Sequence, residues 1–210
     1  MFGAPNVAAM LLEQAHVLWI SASDISAAFS PTLDGQRQPA EGESGVFDII
    51  QARIAAIMVA CAGVEAFANQ SIGLAYGNSQ YQYVSKTKSG LLESWSLDRI
   101  ERHMSIDDKM GTVLPEIFKV ESPKGHTEWH HFQQLKTLRD RLVHCKIRDI
   151  LQKSPSDNTI WSPLTAIPFR DPSGDAYNLI NYFCSRMPES PRWAAKYPRK
   201  QPNKKGKAAK

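Results

Sequence analysis

The sequence predicts an all-α fold, and its apolar patterning carries the prediction. Between Trp129 and Val143 the residues Trp129, Phe132, Leu135, Leu138, Leu142 and Val143 recur at steps of three and four, the period of a helix with one face on a core. From Ala52 to Ala68 only Arg53 and Glu65 are charged, the mark of a helix buried nearly all round. Ala176, Leu179, Ile180, Phe183 and Met187 repeat the helical step near the C-terminus. With 210 residues, 42% of them hydrophobic, the chain is long enough for one domain with a real core.

Taken in order, residues 4–29 read as a first helix rich in Ala, Leu, Met and Val, and Pro31 ends it. Residues 30–45 are rich in Pro, Gly, Gln, Glu and Ser and read as a loop. Residues 46–76 form the second helix. Glu65 lies inside its apolar stretch, where an acid is costly unless paired, and Asn69 follows one turn later on the same face. Residues 77–96 are polar and aromatic and carry no assignment. Leu97–His103 reads as a short helix, and Val113–Val120 as another turn or two begun near Pro115. Gly125, Thr127 and Glu128 mark the start of the next helix, which runs to Ile150 or close to it. Pro155, Pro163, Pro168 and Pro172 make 152–172 a wrapped loop. Ser173–Met187 closes the fold. The domain is expected to span 1–188, with 189–210 a disordered, proline- and lysine-rich basic tail.

Charge and cysteine content narrow the function classes. The net charge is +4, but residues 191–210 hold eight Lys or Arg and no acid. The rest of the chain therefore has seventeen basic groups against 21 acidic ones, and its body is not a general nucleic-acid binder. One local patch differs. Lys119 to Arg148 holds seven basic residues against Glu121, Glu128 and Asp140, with four His among them. No uninterrupted apolar run reaches membrane-spanning length, and no basic region precedes the first apolar stretch, so neither a membrane span nor a secretory signal is expected. Cys61, Cys145 and Cys184 are far apart and fit no zinc spacing. Cys61 reads as a small core residue, and the protein as cytoplasmic.

Leu135–Lys146, L-K-T-L-R-D-R-L-V-H-C-K, carries the candidate chemistry. Arg139 sits at the edge of the apolar stripe, half buried. Asp140 and His144 are four apart and share a face. Arg139 and His144 are five apart, about 140° around an ideal helix, so they flank a groove. R-D-R-L-V-H resembles the R-x4-H signature of HEPN domains, small all-helical proteins, many of them metal-independent ribonucleases that act as dimers. The polar residue after the Arg and the L-V before the His fit that pattern, and G-V-E-A-F-A-N-Q resembles the family helix that brings an acidic or amide residue near the catalytic Arg.

The resemblance implies an antiparallel bundle of four to five helices with long loops. It implies a homodimer whose two motif helices meet, RNA as substrate, and no cofactor or metal. It implies a setting in bacterial defence or toxicity, with an antitoxin or defence-system partner. Arg139 and His144 would be catalytic. Asp140, Glu65 and Asn69 would support them, with Glu65 paired to Arg139. Lys136, Arg141 and Lys146 would bind substrate. Asp140 is expected either to orient His144 or to cap Arg139. Lys146 stands where some HEPN toxins carry a Tyr that a partner nucleotidyltransferase modifies, so that route of control is not expected.

The residue types suit the chemistry. An imidazole titrates in the useful range for proton transfer, and a guanidinium presents a rigid fork to phosphate oxygens. The other reading is a non-catalytic helical dimer that binds RNA or a protein through the same groove. In a purely structural domain, Arg139 would simply pair with Glu65. Other motifs are weaker. His126 and His130 have zinc spacing but no further ligand nearby. Cys145 and His144 are neighbours about 100° apart on a helix, poorly placed for a thiol nucleophile. There is no Gly-rich phosphate loop.

Overall fold

The computed structural model describes residues 6–28, 44–86, 89–145, 159–166, 168–187 and 191–197. The all-α class holds, with one small β-hairpin added. Helices α1 (Val7–Ala28) and α2 (Ser44–Gly77) form a long antiparallel pair. Ala8, Leu12, Ala15 and Ala22 of α1 are buried, and these mostly small residues let the two backbones approach. Gly63 makes the closest approach: a Cβ there would meet Leu12 Cδ2 at 3.2 Å and the Ala8 carbonyl at 3.6 Å.

On α2, Ala56, Ile57, Ala60, Val64, Phe67, Ala68 and Ile72 are buried at steps of three and four. Each large side chain so buried contributes roughly 1.5–3 kcal/mol. Phe47–Gly77 is long and apolar enough to cross a membrane on length and composition alone. Arg53 and Glu65 interrupt the apolar run without lowering its average below that of a span, a property that buried core helices share.

After α2 comes the hairpin β1 (Val84–Lys86) and β2 (Leu92–Ser94), antiparallel, with Ser85 opposite Glu93. It falls in the stretch that the sequence left unassigned. The strands are short, and Val84, Leu91 and Leu92 face solvent, so no buried alternation marks them. Tyr76 ties the hairpin base to α2: its hydroxyl accepts from the Tyr83 N–H at 2.6 Å and donates to the Trp95 carbonyl at 3.2 Å.

Helix α3 (Leu97–His103) starts at the Ser96 cap, where Oγ accepts from Arg99 N. The short helix α4 (Ile106–Asp108) starts at Ser105 in the same way. A π-helical turn, Lys109–Val113, then leads into α5 (Leu114–Phe118). Gly111 in that turn lies against the Lys124 and Trp129 side chains, so a Cβ there would displace the end of Lys124 and press on Trp129 at 3.2 Å.

Helix α6 (Thr127–Val143) carries the R-D-R-L-V-H motif. It starts where expected, although His126 rather than Thr127 is the cap residue. It stops at Val143, short of Ile150, and residues 146–158 lie outside the described residues. Phe132 and Leu135 are buried and Trp129, Leu138 and Leu142 partly so, while Val143 is exposed. Helix α7 (Trp161–Thr165) interrupts the expected loop. Helix α8 (Pro172–Cys184) closes the core, capped by Asp171 with Pro172 in its first turn. Its Phe183 packs on Phe67 and Phe118.

Residues 191–197, expected within the disordered tail, instead pack back. Ala194 is buried, Tyr197 stacks on Tyr177 at 4.5 Å, and the Tyr197 hydroxyl reaches the Leu12 carbonyl. The aromatic residues there supply burial that a count of lysines and prolines hides. The remainder of 189–210, like 29–43, lies outside the described residues.

Arg53 is the second charge of α2 and is almost fully buried. Its guanidinium lies over the Phe169 ring at 4.7 Å, and Nη1 donates to the carbonyls of Leu164 (2.6 Å) and Ala166 (3.1 Å) at the end of α7. Burial lowers its pKa. Replacing it leaves those carbonyls without a donor. Arg53→Met is expected to lower stability by about 1–3 kcal/mol in urea unfolding, with α7 becoming protease-sensitive first.

Candidate functional site

Arg139 is seven residues after Phe132 and four after Leu135, so it continues the buried face of α6 toward its C-terminal end. That face meets α2. Arg139 is still 35% exposed, the half-buried position expected of it. Its Nη1 donates to Asp140 Oδ1 at 2.7 Å. Asp140 also accepts from Lys136 Nζ at 3.1 Å, one turn back. Lys136 Nζ lies 3.5 Å from Asp107 Oδ2 of α4, and Gln133 Nε2 donates to Asp107 Oδ1 at 2.8 Å. Asp107, Lys136, Asp140 and Arg139 thus form an alternating row of charges.

Glu65 does not pair with Arg139. Its ion pair is with Lys109, where Nζ lies 3.8 Å from Oε1. This corrects the expected pairing, and the reason is tertiary: the π-helical turn brings a fully buried ammonium to α2 before Arg139 can claim the carboxylate. Lys109 Nζ also donates to the Glu101 carbonyl at 3.0 Å. Asn69 stands one turn beyond Glu65, and its Oδ1 is buried without a hydrogen-bond partner among the described residues.

Cys61 marks the centre of the neighbourhood. Burial pushes its thiol up to about 12; Arg139 and Lys136 pull it down, while Asp140 and Glu65 push it up. All four charges thus act on a buried thiol of α2. For Asp140, burial alone would raise the carboxyl. Lys136 and Arg139 together outweigh that and hold it below the ordinary carboxylate range. For Lys109, burial dominates and lowers its pKa against the pull of Glu65 and Glu101.

His144 sits just past the helix, as its C-terminal cap residue, and is exposed. Its backbone N–H donates to the Asp140 carbonyl at 2.9 Å, but its ring is not held by the Asp140 carboxylate, which serves Arg139 and Lys136. Of the two roles weighed for Asp140, capping the Arg is the one seen.

Arg141 belongs to another surface. With Gln134, Leu138, Pro163, Phe169 and Asp175 it lines a cleft of about 620 Å³ between α6, α7 and α8. Asp175 lies 2.7 Å from Arg170 and 3.9 Å from His131, yet burial still raises its carboxyl. Lys146 lies outside the described residues. Among the described residues no group of three or more His, Cys, Asp or Glu side chains has metal-binding geometry.

The structure therefore joins Lys136, Asp140 and Arg139 in one row with Asp107, pairs Glu65 with Lys109 instead, leaves His144 at the helix end, and sends Arg141 elsewhere. Asp107, Lys109 and Gln133 were missed as members. Only the S-I-D-D cap at Ser105 hinted that a helix would start there and present its acids. Comparisons with protein-family models, curated proteins and solved structures returned no match to this chain.

The Asp140 shift sets a pH dependence. A carboxyl held below its ordinary value stabilises the fold above that value, and this stabilisation is lost as pH falls through the lower folded value. The parent is expected to be more stable than Asp140→Asn at neutral pH in urea unfolding. That gap should close as pH falls from about 5 to about 2.

Proposed function

We propose that the protein is a ribonuclease of HEPN type that works as a homodimer through Arg139 and His144. The observation that carries this reading is that both side chains are open to solvent at one end of α6. Arg139 is part-exposed on the α2 side, and His144 is exposed where the helix stops. They are separated by only about 7.5 Å of rise along the axis. About 140° apart on an ideal helix, the two groups do not close on one phosphate by themselves; a second subunit facing the same helix end adds another of each group and completes the cleft.

In that shared cleft one imidazole takes the proton from the RNA 2'-OH, whose oxygen attacks the adjacent phosphorus. The other imidazole gives a proton to the departing 5'-oxygen. The guanidinium stabilises the negative charge that builds on the phosphate. The P–O bond to the 5'-oxygen breaks as the one to the 2'-oxygen forms, leaving a 2',3'-cyclic phosphate and a 5'-OH. Asp140 holds the guanidinium in place until phosphate competes for it. Lys136 shares Asp140 and so weakens its hold.

A second reading has its own support. Glu65, Asp107 and Asp140 balance Lys109, Lys136 and Arg139, so the cluster has no net charge to attract a phosphate chain. That balance favours a helical dimer that binds RNA or a protein without cutting.

Cleavage of total RNA in EDTA, with end-group analysis, separates the two. The ribonuclease reading expects cyclic phosphate ends. His144→Ala should lose about 10²–10⁴-fold in rate, and Arg139→Ala about 10²–10³-fold, with both variants folded. RNA bound but left intact by the parent protein overturns it in favour of the second reading.

A further inference from the structure

We infer that Lys109 is a positioning residue for this site, an inference that rests on the ribonuclease reading: by pairing with Glu65, it keeps that carboxylate from neutralising Arg139. Glu65 stands one turn beyond Cys61 on the same helix face, and the Cys61 thiol senses both Glu65 and Arg139. Glu65 lies on α2, and Arg139 continues the face of α6 that packs against α2. The Glu65 side chain is 44% exposed, so packing alone does not fix its direction. What directs it is the nearest cation, and that cation is Lys109 at 3.8 Å.

Lys109 is suited to this task because it cannot move away. Its residue is completely buried, Nζ is tethered to the Glu101 carbonyl at 3.0 Å, and Met110 and Val113 of the same π-helical turn are buried beside it. A buried ammonium needs a counter-charge, and the Glu65 carboxylate supplies it. The direction of the Lys109 pKa agrees: burial lowers it, and Glu65 opposes the fall. With Lys109 gone, the Glu65 carboxylate has no fixed cation on its own side and is free to turn to Arg139. Arg139 already donates to Asp140. A second carboxylate would occupy the rest of the fork that a phosphate needs. The residue thus acts through Arg139 without touching substrate.

The test compares Lys109→Met, Lys109→Met with Glu65→Gln, and Arg139→Ala in the RNA cleavage assay, each checked for folding by circular dichroism. Lys109→Met should lower kcat/KM by about tenfold or more, and the double variant should regain most of that loss. A merely structural role for Lys109 predicts that loss and rescue follow the folded fraction in urea unfolding. The positioning role predicts a kcat/KM loss and rescue in variants that are fully folded under assay conditions. Should Lys109→Met not fold, Lys109→Gln keeps an amide donor for the Glu101 carbonyl while removing the charge, and the same comparison applies. An inactive Arg139→Ala together with a fully active Lys109 variant, or with a double variant no better than the single, overturns this inference alone. An Arg139→Ala variant that cleaves like the parent overturns the ribonuclease reading and the inference with it.

Discussion

The structure depends on burying α2. That helix presents apolar residues over most of its circumference, and α1, α6 and α8 cover much of it. Burial of this kind is favourable for Ile57, Val64, Phe67 and Ile72 but costly for a charge left without a partner. The two charges in the 52–68 stretch, Arg53 and Glu65, therefore dictate what comes near. Arg53 takes the carbonyls at the end of α7, and Glu65 takes the ammonium of Lys109. Both partners lie in short, irregular segments that have little periodicity of their own. The long helix organises them by needing them.

The candidate site follows from the same constraint. Asp107, Lys136, Asp140 and Arg139 form one alternating row on α4 and α6, and Lys109 with Glu65 forms a second pair toward α2. In such a row each group weakens the grip of its neighbours. Asp140 divides its oxygens between Lys136 and Arg139, so the guanidinium is oriented without being wholly committed. In the proposed ribonuclease, a phosphate approaching Arg139 would compete with one shared carboxylate rather than with two dedicated ones. The half-exposed position of Arg139, at the solvent end of an otherwise buried face, makes that competition possible.

Much of the fold was legible because it rests on local rules. The bounds of α3 read as Leu97–His103 and hold, and the apolar step from Ala176 to Phe183 marks α8, although that helix starts at Pro172, read as loop, and ends at Cys184 rather than Met187. The hairpin was not readable: strands of this length with exposed Val84 and Leu92 leave no alternation to detect. Helix α6 ends at Val143 with His144 as its cap, and the stretch from 146 to 150, where the sequence carries it on, lies outside the described residues. At the site, the partial burial of Arg139 was readable from its place beside the Leu135 stripe, whereas the partner of Glu65 was not.

The sequence by itself determined which stretches are helical, which faces of them are apolar, and that an acid inside α2 requires a cation, because periodicity, caps and desolvation act within a few residues. Only the tertiary structure decided which cation that is. The choice between Lys109 and Arg139 turns on where a π-helical turn and a distant helix end arrive in space, and ion pairs between remote segments leave no spacing in the chain to read.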